Sequence, residues 1–103
     1  MPRYFVSRHP GAIHWARQQG LAVDAFVPHL DATTVQAGDV VMGTLPVALA
    51  AQVCERGAQY LHLSLHLPQD LRGTELSADQ LHHLQAELTP SHVVQCPAAT
   101  MAV

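Results

Sequence analysis

A short apolar run that breaks off and turns into a helix occurs twice in this chain, and that pairing restricts its fold more than any other feature. Tyr4-Phe-Val6 passes through Ser7-Arg8-His9 into a Pro10-Gly11 corner and a helix carrying Trp15, which Gly20 stops. Asp39-Val-Val-Met-Gly43 passes through Thr44-Leu45-Pro46 into an alanine-rich helix from Val47 to Arg56, which Gly57 stops. Proline is tolerated in a first helical turn, and glycine takes the left-handed conformation that ends one. An apolar run without alternation is what a strand buried on both faces looks like. The chain must therefore place helices against both faces of a sheet.

The remaining elements follow from the same signals. The first strand spans 3–7, and its helix runs from about Pro10 to Gln19. A second strand runs roughly from Val23 to His29. Asp31 to Gly38 is a polar connection with room for one helical turn. Eight residues reach about 25 Å when extended, so this connection can return across the sheet to a parallel third strand. A fourth strand, Gln59 to Leu67, ends at Pro68. Ser77 caps a third helix expected through about Leu88, and Ser91–Gln95 reads as a last strand. The order β-α-β-β-α-β-α-β describes a three-layer α/β domain with a mainly parallel sheet of about five strands. At 103 residues it is a single domain, 1–96, followed by a tail at 97–103. The fourth strand alternates strictly: Leu61, Leu63, Leu65 and Leu67 against Tyr60, His62, Ser64 and His66. Alternation of that kind implies a face without a helix of the same subunit, and a dimer surface is the reading carried forward.

Ligands of such sheets sit beyond the carboxyl ends of the strands. The first corner offers a hydroxyl, a guanidinium and an imidazole beside unpaired helical N–H groups, the requirements of a phosphate site. Ser7, Arg8, His9, Gly11 and His14 are its candidate residues. Gly43, Thr44, Leu45 and Pro46 form the second corner, with Thr44 as the expected helix cap, and Arg72 lies in the loop after the fourth strand. The chain has no lysine and a net charge of −3, so it is unsuited to long nucleic acid, whose binding requires many phosphates to be neutralised. Any phosphate contact must come from its arginines, neutral side chains or backbone N–H groups.

Several chemistries lack support. There is no GxGxxG or GxxxxGK[ST], hence no dinucleotide or P-loop signature. The eight histidines are poorly spaced for metal: His62 and His66 would stand about 13 Å apart on a strand, and His82 and His83 diverge on a helix. No metal and no cofactor is expected. Cys54 and Cys96 have no CxxC context and read as buried free thiols. No apolar run approaches the length of a membrane span, and no signal peptide is legible, so a cytoplasmic protein is expected. A strand ending in Arg-His resembles the corner of the histidine phosphatases, but Pro10 stands where that family has glycine.

A wider resemblance covers the chain to about residue 88. Tyr4-Phe-Val-Ser-Arg-His-Pro-Gly-Ala-Ile13 with Trp15, His29-Leu-Asp31, Gly38-Asp-Val-Val-Met-Gly-Thr-Leu-Pro46, Tyr60-Leu-His-Leu-Ser-Leu65, Leu67-Pro68 and Arg72-Gly73 with Glu75-Leu-Ser77 together resemble a small family that accompanies type III CRISPR systems. The resemblance implies a Rossmann-like (CARF-like) fold and a homodimer that binds cyclic tetra-adenylate. It further implies a ring nuclease, which linearises that antiviral messenger by metal-independent attack of a ribose 2′-OH on the adjacent phosphate. The alternative it leaves is a protein that sequesters or senses the ring without cutting it. On this reading Arg8 stabilises charge on the phosphate and His9 moves a proton. The other corner residues and Arg72 hold the ligand.

Overall fold

The computed structural model describes residues 2–65 and 75–96. Its elements are β1 (Arg3–Val6), α1 (Pro10–Gln18), β2 (Ala25–Val27), a 3₁₀ turn (Ala32–Thr34), β3 (Val40–Gly43), α2 (Val47–Glu55), β4 (Gln59–Ser64), α3 (Ala78–His83) and β5 (Glu87–Ser91). They form one five-stranded sheet in the order β2-β1-β3-β4-β5. The first four strands are parallel, and β5 runs antiparallel beside β4. This is the small α/β domain with a mostly parallel sheet that the strand–helix pairing requires.

Alternation along the strands sorts side chains into two cores. Phe5, Val40, Met42 and Leu63 meet Trp15 and Ala16 of α1 and Ala78 and Leu81 of α3. On the other face Val41 and Tyr60 meet Ala50, Val53 and Cys54 of α2, with Val35 from the loop after the 3₁₀ turn. Phe5, Val35, Val41 and Val53 are fully buried, and burying a side chain of that size contributes about 1.5–3 kcal/mol. Helices thus cover both faces of the sheet.

Each helix ends in the same way. The N–H of Gly20 bonds the Arg17 carbonyl and that of Leu21 the Ala16 carbonyl. Gly57 and Ala58 repeat the pattern on Cys54 and Val53, and Gln85 and Ala86 on His82 and Leu81. These are Schellman closures, whose left-handed residue is normally glycine. Gln85, at φ 58°, takes that conformation without being glycine. The third helix therefore stops at His83, not at Leu88.

Three further expectations are corrected. The last strand is Glu87–Ser91 instead of Ser91–Gln95, and it contains Pro90. An edge strand tolerates proline because one of its sides has no ladder to complete. Tyr60 is only 2% exposed and packs under α2, so the alternating strand is not left bare on that face. The reasoning that made it a dimer surface fails at Tyr60, while His62 and Ser64 are half-buried. Cys54 is buried as expected, but Cys96 is exposed. His66, Leu67, Arg72, Gly73 and the tail at 97–103 lie outside the described residues.

Candidate functional site

The connection from β1 through α1 places β2 on one side of β1, and the chain then crosses back to put β3 on the other. The carboxyl ends of β1 and β3 diverge at that reversal, which is where open α/β sheets leave a crevice. A cleft of about 580 Å³ lies there. Its rim is built from Ser7, Arg8 and His9 after β1, Pro28 and His29 after β2, and Thr44, Leu45 and Pro46 after β3. Leucines 30, 49, 63, 65, 76 and 81 give it an apolar floor. The two sequence-marked corners thus form facing sides of one cavity.

The first corner is folded on itself. The Ser7 hydroxyl accepts the His9 N–H at 3.0 Å, while the Ser7 N–H donates to the Val27 carbonyl. His9 is the N-cap residue of α1 but makes no side-chain cap. Its ring instead turns to Glu75: Nδ1 lies 2.9 and 3.1 Å from the two carboxylate oxygens. Pro10 has no N–H, and Ala12 and Ile13 both donate to the His9 carbonyl. Gly11 is then the first-turn residue whose N–H has no acceptor among the described residues. This helix end is a weaker anion site than its sequence implies.

The second corner is the better one. Thr44 is not the cap: Pro46 holds that position, and the Thr44 hydroxyl donates to the Leu63 carbonyl at 3.0 Å. Ala50 is the first α2 residue to bond back, to the Pro46 carbonyl. The N–H groups of Val47, Ala48 and Leu49 have no acceptor among the described residues, and Pro46 and Leu49 border the cleft. A helix end in this state attracts anions. Gly43 makes the turn possible. Its φ is 138°, and a Cβ there would stand 2.5 Å from the Val6 carbonyl oxygen.

Gly11, His14 and Gly43 do not line the cleft. Gly11 faces the segment leading into α3, where a Cβ would overlap the Leu76 carbonyl oxygen, so its smallness serves a backbone contact. His14 is exposed, and its Nε2 is 3.3 Å from the Gln18 amide nitrogen. Gln18 in turn reaches His82 at 3.0 Å. Gly43 is buried beneath the corner it shapes. Arg72 is outside the described residues.

Glu75 and Tyr60 escaped sequence reasoning, while His29 follows from its place at the carboxyl end of the second strand. It borders the cleft because β2 ends beside β1. Glu75 reaches His9 only through the docking of α3. Tyr60 pins the second corner from below: its hydroxyl accepts the Leu45 N–H at 3.0 Å and lies 3.2 Å from the Gly43 carbonyl and 2.7 Å from His62 Nδ1. Burial pushes the Tyr60 phenol above its ordinary pKa, against the opposing effect of the Leu45 bond.

The charged groups divide plainly. The Arg17 guanidinium sits 4.9 Å over the Phe26 ring. Arg56 donates to the carbonyls of Val35 and Thr33. Arg3 lies at the opposite, amino-terminal end of β1. Arg8 is thus the guanidinium that borders the cleft among the described residues. Asp31 caps the 3₁₀ turn, and the Thr33 hydroxyl and N–H hold its carboxyl below the usual range. Among the described residues no three His, Cys, Asp or Glu side chains are placed to hold a metal, and no helix is long and apolar enough to cross a membrane.

A family model described as "Putative CRISPR-associated protein (Cas_VVA1548)" matches residues 4–94. No curated protein and no solved structure matches the chain.

Proposed function

The chain belongs to this CRISPR-associated family, and on that premise we propose that it is a ring nuclease acting on cyclic tetra-adenylate. The observation that carries the reading is the placement of Arg8 and His9 on one rim of a cleft whose other rim is the uncapped end of α2. A phosphodiester seated between them meets a guanidinium on one side and backbone N–H groups on the other.

The nucleophile belongs to the ligand. A ribose 2′-OH attacks the adjacent phosphorus, the 5′-oxygen of the next nucleotide leaves, and the ring opens with a 2′,3′-cyclic phosphate at one end. The protein has only to hold the 2′-oxygen in line and to stabilise charge growing on the phosphate. Arg8 and the α2 N–H groups supply the charge stabilisation, and His9 handles a proton. The apolar floor suits the adenine faces. No cofactor is required. A ring with four phosphates is served by two such clefts, so the active form is a homodimer with one cleft from each subunit.

Incubation with radiolabelled cyclic tetra-adenylate in EDTA tests the proposal. Linear product ending in a 2′,3′-cyclic phosphate is expected. A ring that binds but stays intact would replace the nuclease by a sequestering or sensing protein. A ring that does not bind would remove the ligand assignment altogether.

A further inference from the structure

We infer that Glu75 is a positioning residue that fixes the His9 imidazole with its proton on Nδ1 and so leaves Nε2 as a proton acceptor at the cleft. The inference rests on the nuclease reading and names a component that reading does not contain. An ionised carboxylate has no hydrogen to give. At 2.9 and 3.1 Å from both oxygens of Glu75, Nδ1 must be the donor, and a neutral ring then carries its lone pair on Nε2. A carboxylate paired with an imidazole in this way sets the tautomer and the ring orientation.

The backbone is shaped to make the pair. His9 and Glu75 are 66 residues apart. They meet because Leu76 and Ser77, which lead into α3, lie against the first turn of α1 at Gly11, where any Cβ would collide with the Leu76 carbonyl. Ser77 then closes α3 with a full capping box to Gln80, which fixes the direction in which Glu75 enters. On the other side the His9 N–H is tied to the Ser7 hydroxyl. Both partners of the pair are about two-thirds exposed, at 65% and 64%. An exposed pair contributes little to stability, so its value lies in orientation.

In the proposed reaction Nε2 takes the proton from the 2′-OH as the oxygen–phosphorus bond forms. The departing 5′-oxygen takes up a proton from solvent. The imidazolium, still bonded to Glu75 through Nδ1, later releases its extra proton to solvent, and the ring is ready again.

The test compares Glu75→Gln, His9→Ala and the double variant on cyclic tetra-adenylate in EDTA, alongside ¹⁵N NMR of the imidazole in the free protein. Glu75→Gln is expected to lower kcat by roughly 10- to 100-fold with KM little changed. The double variant should be no slower than His9→Ala, since the carboxylate works only through the ring. Glu75→Asp should restore part of the rate. The neutral His9 ring of the unaltered protein should show the Nδ1–H tautomer, and Glu75→Gln should shift it toward Nε2–H. Unchanged kcat in Glu75→Gln, losses that multiply in the double variant, or an Nε2–H tautomer in the unaltered protein would each overturn the inference. An uncut ring with the Nδ1–H tautomer present would sink the nuclease reading while confirming that Glu75 holds the ring.

Discussion

The backbone N–H of Leu45 donates to the hydroxyl of Tyr60 across 3.0 Å. That bond ties the loop between β3 and α2 to a side chain buried under α2 in the neighbouring strand. The same oxygen lies 3.2 Å from the Gly43 carbonyl, so one phenol spans both ends of the turn that forms a wall of the cleft. The aromatic residue thus joins the packing of the core to the shape of the site.

Tyr60→Phe keeps the ring and removes the oxygen. It leaves the Leu45 N–H without its acceptor in a buried setting, a loss of about 1–3 kcal/mol. Urea denaturation should show that destabilisation, with affinity for cyclic tetra-adenylate reduced because the second corner loosens. Unchanged affinity together with the expected loss of stability would mean that the corner holds its shape without the phenol.

The same residue gives a pH dependence. The folded state holds the Tyr60 proton more tightly than the ordinary phenol value of 10.0. Below that value both states keep the proton, and the contribution is whole. As pH rises past it the unfolded chain loses the proton first, and stability falls until the folded phenol also ionises. Denaturation midpoints measured from pH 8 to 11 should decline more steeply for the unaltered protein than for Tyr60→Phe. Parallel declines would argue against a raised phenol.

Arg8→Ala should lower turnover by about 10²- to 10³-fold, the usual loss when one donor to a developing oxyanion is removed, with the denaturation midpoint unchanged. Arg56→Ala should do the reverse. Its guanidinium holds the carbonyls of Val35 and Thr33, so stability falls by about 1–3 kcal/mol while turnover at a permissive temperature stays near normal. Equal turnover in the two variants would mean that Arg8 has no special place in the chemistry.

Gly11→Ala should force the Leu76–Ser77 backbone away from α1. Hydrogen exchange in α3 is expected to quicken, and stability to drop by about 1–3 kcal/mol, as for other overpacked contacts. Retained protection in α3 would show that the contact is not required for docking.

Much of this was legible in the residues themselves. Tyr4–Val6 and Val40–Gly43 announce buried strands, and Gly20 and Gly57 mark the helix ends that the Schellman closures confirm. The Ser77 cap was legible as well, and the structure adds its capping box to Gln80. What failed did so for physical reasons. Leu81, Leu84 and Leu88 continue a helical spacing beyond His83, and Gln85 ends the helix in a conformation that costs a non-glycine residue about 1–2 kcal/mol. No sequence signal marks a residue that pays such a strain for the sake of its neighbours. Pro90 hid the last strand because its tolerance depends on that strand being at an edge. At the cleft, Ser7, Arg8 and His9 stand where their local corner implies. Glu75 was not legible, since it reaches His9 only through the docking of the segment that leads into α3. Gly11 allows the close backbone approach that its corner implies, and the backbone it meets is that of Leu76.

The place of β1 between β2 and β3 also sets an order of events during synthesis. The ribosome makes the Ser7–His9 wall first, in a strand that then waits for β2 on one side and β3 on the other. Glu75 follows His9 by 66 residues, roughly 3 to 13 s later at ordinary elongation rates of about 5–20 residues per second. A nascent chain therefore owns both walls of the cleft before it owns the carboxylate that steadies its imidazole, and Leu76 and Leu81 complete the floor only after that carboxylate has been made.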